Sequence, residues 1–359
     1  MQTKKIGKLV VPAIGQGAGG NDKCDDIHRI GIIRLGIELG MTLIDTAEVY
    51  QDGHSEEVVG KAISGLREKV IISTKVSPEH GDAVGIKKAF EGSLRRLGVD
   101  YIDIYQLHWP SPLIPIEETM EALFKLKEEG KVMHVGVSNF SLEKFKEAER
   151  AIKGKIESNQ LEYNLVERGI EEDFLSYSEE NDILVLAYNP SLKPIKNRLI
   201  LENIGKKYNK TTAQVVLNWL ASHKTVVPIP KTLNFDHLKE NAAAFDFKMA
   251  EDDFKEIQNV FQPKIVEVDP SKIRVLSSKN EPVYTTLEEA LKNNANLKPS
   301  PVELAKEIVE GGILKPVRVK VSDDAGGWYE YDLIQGRVRY WAWIIAYGKD
   351  RPIKVCIYE

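Results

Sequence analysis

The first part of this chain, up to about residue 261, predicts an α/β fold closed as a (β/α)8 TIM barrel, and the remainder predicts a smaller α+β domain. Eight short runs rich in Val and Ile alternate with helical stretches. Runs of that kind read as parallel strands buried on both faces. Eight such units in succession favour a closed barrel over an open sheet. The placing of polar residues agrees: Asp45, Lys75 and His108 end successive apolar runs, and Tyr50 stands shortly after the first. In a parallel barrel those strand ends converge on one mouth, where chemistry sits.

Residues 3–12 read as a small hairpin capping the barrel floor. The strands are expected at 14–18, 42–45, 70–75, 102–108, 132–138, 156–161, 183–188 and 226–230. Helices between them include 27–39, 55–65, 86–97, 116–129 and 141–151. Ser141 suits an N-cap, and Gly40, Gly98 and Gly130 suit helix C-termini. One more helix is expected at 250–261. The pattern changes near Gln262-Pro263. Beyond it come an opening strand at 265–275, a helix at 302–310 and a turn at Gly311-Gly312. Strands at 317–321 and 329–334, a helix at 338–347 and a strand at 353–358 complete the second domain. Trp328, Trp341 and Trp343 are expected to pack rather than stack on bases. No internal repeat or low-complexity tract interrupts this order.

The chain has 359 residues and a formal charge of −5. That size suits one large and one small domain. The charge gives no whole-chain attraction to nucleic acid or anionic membrane. The two cysteines, Cys24 and Cys356, lie near opposite ends, so neither a disulfide framework nor a cysteine zinc site is expected. No run is long enough for a membrane span, and residues 1–7 lack an apolar leader core. A cytoplasmic protein without a metal is expected.

The residues at the mouth suit proton delivery. A phenol titrates near ~10 and is a weak acid at neutrality. An adjacent ammonium favours its ionised form. Lys75 is expected to lower the Tyr50 pKa in this way, with Asp45 holding Lys75 in place. His108 can donate to a carbonyl oxygen and polarise it, so that Tyr50 and His108 act as acid and orienting group in a carbonyl reduction. Taken singly, an Asp, Tyr, Lys or His at a strand end is more often a capping or hydrogen-bonding group. Four together are harder to assign to packing.

Their surroundings resemble a known family. Leu43-Ile44-Asp45-Thr46-Ala47-Glu48-Val49-Tyr50, then Ser55-Glu56-Glu57-Val58-Val59-Gly60, are similar to the aldo-keto reductase signature. Gln106-Leu107-His108-Trp109-Pro110, Gly136-Val137-Ser138-Asn139-Phe140, Ser158-Asn159-Gln160-Leu161-Glu162-Tyr163-Asn164 and Pro228-Ile229-Pro230-Lys231-Thr232 continue the match in order. The resemblance covers residues 1–261. It implies a reductase of aldehydes or ketones using NADP, with NAD as the alternative, and without a Rossmann fold. Position by position it makes Tyr50 the proton donor and His108 the carbonyl-orienting group, with Lys75 and Asp45 tuning Tyr50. Ser138, Asn139 and Gln160 would bond the nicotinamide carboxamide, and Tyr188 would stack on the ring. Lys231, Thr232 and Asn234 would hold the adenosine 2′-phosphate, while Glu240 and Asn241 meet the adenine.

The chain departs from the family pattern at three places. Gln51-Asp52-Gly53-His54 follows the donor tyrosine, where Gly is usual. Asn189-Pro190-Ser191-Leu192-Lys193-Pro194 replaces the usual pyrophosphate-covering loop. His237 stands where the family often has Arg against the adenine and 2′-phosphate.

Residues 264–359 resemble the ParB/sulfiredoxin-like domain through Glu310-Gly311-Gly312-Ile313-Leu314-Lys315-Pro316-Val317 and Leu333-Ile334-Gln335-Gly336-Arg337-Val338-Arg339-Tyr340. Arg337 and Arg339 at a helix start make a candidate anion site for a nucleotide phosphate; a surface helix start is the bland alternative. The cysteine that sulfiredoxin chemistry needs is absent from this turn. This segment holds 15 Lys and Arg against 14 Asp and Glu, so nucleic acid is an improbable partner. Two other readings stand beside the reductase. One is a cofactor-sensing regulatory protein, and the other a bifunctional chain whose second domain binds a nucleotide.

Overall fold

The computed structural model describes residues 2–19, 24–111, 113–152, 154–190, 197–262, 264–276, 284–295, 299–309, 314, 316–324 and 326–358. The expected Gly311-Gly312 turn and the Ser191–Pro194 stretch lie outside them. The chain divides into two compact units, Met1–Val260 and Phe261–Glu359.

The first unit opens with an antiparallel hairpin, β1 (Thr3–Ile6) and β2 (Leu9–Pro12). Then follow β3 (Gln16–Gly17), α1 (Asp26–Glu38), β4 (Leu43–Asp45), α2 (His54–Ile63), β5 (Ile71–Val76), α3 (Ala83–Leu97), β6 (Ile102–Leu107) and α4 (Ile116–Glu128). Next come β7 (Val132–Ser138), α5 (Leu142–Arg150), β8 (Ser158–Glu162), α6 (Phe174–Glu180) and β9 (Leu184–Tyr188). The unit ends with α7 (Arg198–Tyr208), α8 (Thr212–Ser222), β10 (Val226–Pro228), α9 (Phe235–Ala242) and α10 (Glu251–Val260).

Strands β3 to β10 form one eight-stranded parallel sheet in chain order. It curls until its ends meet, for Gly15 N donates to Pro228 O at 3.0 Å and Gly17 N to Pro230 O at 3.1 Å. The strand beside this seam, β3, is shorter than the expected 14–18, although Gly15 N and Ala18 N on either side of it still donate to Pro228 O and Asp45 O. A Cβ on Gly15 would stand 2.9 Å from Leu43 O. Sequence signals account for several boundaries. Ser141 accepts from Lys144 N at 3.3 Å and starts α5. Gly98, at φ +66°, ends α3 in the left-handed conformation that Gly adopts at little cost.

The hairpin plugs the barrel floor. Ile6, Leu9 and Val11 pack against Leu43, Ile104, Leu184, Leu186 and Val227 in one buried cluster. Each such side chain contributes about 1.5–3 kcal/mol on leaving water. Lys4 Nζ donates to the carbonyls of His223 and Val226 and fastens the plug.

The second unit contains β11 (Lys264–Val268), β12 (Ile273–Val275), α11 (Leu287–Lys292), α12 (Pro301–Val309), β13 (Val317–Val321), β14 (Tyr331–Gln335), α13 (Arg337–Tyr347) and β15 (Ile353–Tyr358). Its mixed sheet runs β11-β15-β13-β14-β12. The single strand expected at 265–275 is two strands on opposite sheet edges. Pro270 opens a short 3-10 turn, and the Asp269 carboxylate accepts from Ser271 N at 2.8 Å. That turn carries the chain away from β15. Val317, Val319, Leu333, Tyr340, Trp341 and Ile344 build the core, with Trp343 packed against it. Trp328 corrects the packing expectation. It is 79% exposed, beside a turn in which the Asp324 carboxylate accepts from Trp328 N and Tyr329 N.

Candidate active site

Parallel register brings the expected residues together. Asp45 ends β4 opposite Ser73 on β5, and Lys75 lies two residues further along that strand. His108 follows β6, its N–H donating to Val76 O at 2.9 Å. Lys75 is 0% exposed, and its ammonium donates to both Asp45 carboxylate oxygens at 2.9 Å and to Thr46 O at 2.7 Å. Asp45 Oδ1 also accepts from Ser73 Oγ at 2.9 Å and Gln160 Nε2 at 2.7 Å. The carboxylate is therefore buried, paired and well supplied with donors, the condition under which a buried ion pair is tolerated.

Tyr50 lies in the turn after β4. Its ring centroid is 5.2 Å from Lys75 Nζ and 5.6 Å from the His108 ring, which it meets edge-on. A Cβ on Gly19 would fall 2.5 Å from Tyr50 Cε2, so Gly19 leaves the space this ring occupies. Behind Tyr50 the backbone turns through Gln51, Asp52 and Gly53 at φ 55°, 54° and 89°. Three left-handed residues in succession are costly for the two that are not Gly. They are held by His54 N donating to Gln51 O and Ser55 N donating to Tyr50 O. Below them Glu56 is fully buried, paired with Arg96 and accepting from Thr74 Oγ1 at 2.6 Å. This anchors the start of α2.

The electrostatics correct one expectation. The Lys75 charge is the largest influence on Tyr50 and does lower its pKa. Burial and the Asp45 charge oppose it and prevail, leaving the phenol above its ordinary value. Sequence alone gave the Lys75 influence without the depth of the site. Burial is also the largest influence on Lys75 and disfavours its charge, but Asp45 and then Tyr50 outweigh it and hold its pKa up. Burial first, and the Lys75 charge second, push His108 down to about 2. His108 is thus neutral across any working pH. Its Nδ1 is buried with no hydrogen-bond partner among the described residues. A proton on Nε2 would leave only a lone pair unmet at Nδ1, which is less costly than orphaning an N–H there. Trp109 stacks on the imidazole at 3.6 Å and an interplanar angle of 11°, fixing the ring plane.

The expected nicotinamide-binding residues lie on β7 to β9 and the ends of these strands. Ser138 and Gln160 are paired in register, and Ser138 Oγ donates to Gln160 O at 3.1 Å. Asn139, at φ +64°, donates from Nδ2 to His108 O at 3.1 Å. Asn139 Oδ1 accepts from the Tyr188 hydroxyl at 2.8 Å. Asn139 therefore ties the imidazole's backbone to Tyr188.

Lys231 and Thr232 line a cleft beside Gly17 and Ala18. Asn234 caps α9, accepting from Asp236 N at 2.8 Å and His237 N at 3.2 Å. Glu240 O accepts from Gln214 Nε2 at 3.0 Å, and Asn241 is buried. The residues present fit a phosphorylated dinucleotide. The cleft beside Lys231 contains a second cation, Arg29, and no carboxylate among its lining residues. Sequence reading passed over Arg29, Gly19, Ser73 and Trp109. Of these, Trp109 lies inside the Gln106–Pro110 motif, while the other three acquire meaning through contacts made in the folded chain.

In the second unit, Gly336 at φ +94° precedes α13. Arg337 is 5% exposed and donates to Leu276 O at 2.9 Å. Arg339 donates to Pro316 O at 2.7 Å. Both guanidinium groups therefore have carbonyl contacts that hold the turn. Among the described residues of the whole chain, no helix is long and apolar enough to cross a membrane.

A phenol, a buried ammonium–carboxylate pair and a neutral imidazole thus meet at the mouth of a closed barrel, an arrangement chemically able to deliver a proton. Comparison with known proteins shows the family of the barrel. The family model described as "Aldo/keto reductase family" matches residues 13–196 and 195–262. The chain belongs to the aldo/keto reductase family. It is 40% identical to methylglyoxal reductase YeaE of Escherichia coli over 263 residues, 70% of this chain and 92% of that protein. It is 34% identical to glyoxal reductase of Bacillus subtilis over 245 residues, 67% of this chain and 86% of that protein. A crystal structure of an aldo/keto reductase from Klebsiella pneumoniae in complex with NADP and acetate superposes with a TM-score of 0.68 and 38% identity. It covers 72% of this chain and 95% of that one.

Proposed function

We propose that this chain is an NADP-dependent reductase that converts small aldehydes and ketones, 2-oxoaldehydes among them, to alcohols. The observation carrying this reading is the meeting of Tyr50, the Lys75–Asp45 pair and neutral His108 at one barrel mouth. A reduced nicotinamide, when bound, supplies a hydride to the carbonyl carbon. Tyr50 is the proton donor. Its raised pKa keeps the phenol protonated at neutrality, and the Lys75 charge stabilises the phenolate left after transfer. His108 Nε2–H donates to the same carbonyl oxygen and aligns it with the Tyr50 hydroxyl.

Ser138, Asn139 and Gln160 hold the carboxamide, and Tyr188 offers its face to the nicotinamide ring. Lys231, Thr232 and Asn234 take the 2′-phosphate, with Glu240 and Asn241 at the adenine. The printed activities of the E. coli and B. subtilis relatives support a 2-oxoaldehyde as substrate. For residues 264–359 we propose a ParB/sulfiredoxin-like domain, supported by the left-handed Gly336 turn between β14 and α13.

The test is NADPH oxidation by the full chain against methylglyoxal, glyoxal, simple aldehydes, ketones and sugars. Turnover with 2-oxoaldehydes at the top of the series is expected. NADPH binding with no turnover on any member would overturn the reductase reading in favour of cofactor sensing.

A further inference from the structure

Arg29 has no place in the motifs that carry the resemblance, yet it lines the same cleft as Lys231 and Thr232. It comes from the first turn of α1. The neighbouring residue ties that turn to the segment before α9. His28 Nε2–H donates to Leu233 O at 2.6 Å, and its ring lies 4.9 Å from Phe235. The first turn of α1 is thus docked beside Lys231, and Arg29 faces into the cleft between them.

The Arg29 guanidinium is costly where it sits. The residue is 5% exposed. Among the described residues, its polar contacts are Nη2 to Ala18 O at 3.5 Å and Nη1 to Asp26 Oδ1 at 4.0 Å. Both are at the limit of useful interaction. A buried cation compensated so thinly is unfavourable unless a further anion completes its shell. A phosphate would supply coplanar, charge-assisted bonds of the kind a guanidinium fork accepts. Elsewhere on the rim, His237 occupies the position where the family resemblance leads one to expect an arginine, and it is exposed.

Resting on the NADP reading above, we propose that Arg29 is a cofactor-specificity residue, binding the adenosine 2′-phosphate together with Lys231 and replacing, from α1, the arginine missing at position 237. The bland alternative is a packing residue that anchors the start of α1 through Asp26. The two differ in what they do to NADPH and NADH. A 2′-phosphate contact discriminates between these cofactors, and a packing role does not.

The experiment measures equilibrium binding of NADPH and of NADH to the full chain by calorimetry, for wild type, Arg29→Met and Arg29→Lys. Arg29→Met is expected to weaken NADPH binding by about tenfold or more, with NADH binding unchanged and Arg29→Lys restoring part of the loss. Equal weakening of both cofactors, or of neither, would overturn the proposal. Wild-type protein that bound neither cofactor would overturn the NADP reading as well. Should Arg29→Met fail to fold by circular dichroism, a crystal structure of the wild-type NADP complex decides. A guanidinium within hydrogen-bond reach of the 2′-phosphate supports the proposal, and one out of reach overturns it.

Discussion

Replacing Lys75 by Met removes one charge from a pair sealed from water. Lys75 is 0% exposed and Asp45 3% exposed, and three contacts of 2.7 to 2.9 Å are lost together. Removing one partner of a buried pair costs about 3–5 kcal/mol, because the other charge remains buried. Asp45 keeps donors from Ser73 and Gln160, which places the expected cost near the lower end, about 3 kcal/mol. A barrel of this size moves its Tm by roughly 2–4 °C per kcal/mol, so a fall of about 6–12 °C is expected. Catalysis suffers separately. Tyr50 loses its largest acidifying influence and keeps the two that oppose ionisation. A loss of kcat of about 100-fold or more follows, within the usual range for general acid catalysis. Adding Asp45→Asn to Lys75→Met removes the orphaned charge and is expected to restore most of the Tm but none of the rate. Thermal melts by circular dichroism and steady-state NADPH oxidation read the two effects. A Lys75→Met variant that melts and turns over like wild type would mean that the buried pair supports neither the fold nor the rate. A double variant that melts no higher than the single one would mean that the orphaned charge is not what lowers the Tm.

His108 makes the fold sensitive to acid. Its pKa falls from an ordinary ~6.5 to about 2 on folding, so the unfolded chain binds the proton first. The stability involved is complete above pH ~6.5 and is lost as pH falls toward the folded value, at about 1.4 kcal/mol per unit. His108→Gln should therefore lose about 2 kcal/mol less than wild type between pH 7 and pH 5, measured by urea denaturation; identical losses would count against a buried neutral imidazole. Gly19→Ala places a methyl group 2.5 Å from Tyr50 Cε2 and should lower kcat about tenfold or more by displacing the donor. A full rate in that variant would mean the ring does not need this space.

The mouth was legible because apolar runs mark roughly where a strand ends: Asp45 closes β4, Lys75 stands one residue before the end of β5, and His108 directly follows β6. Parallel register then brings Asp45 and Lys75 into contact. The net direction of the Tyr50 pKa was not legible. It is a balance between one attractive charge and two opposing influences, one of which is burial, and burial belongs to the folded chain. Gly19 and Arg29 were hidden for a related reason. Their partners, Tyr50 and the Lys231 cleft, lie on other elements, and only the seating of α1 and of the loop after β3 brings them together. In the second unit the expected strand at 265–275 breaks at Asp269-Pro270, where Pro inside a run is itself a signal against a continuous strand. Helix α11 lies inside a polar stretch without an apolar periodicity to mark it, and its one sequence signal is the capping box of Thr286 with Glu289.

Tyr50→Phe isolates the proton donor, because it removes one hydroxyl and leaves the ring between Gly19 and His108. Single-turnover reduction of methylglyoxal by the NADPH complex should slow by about 100-fold or more, with NADPH affinity and Tm close to wild type. A variant that binds NADPH normally and reduces methylglyoxal at the wild-type rate would contradict the account.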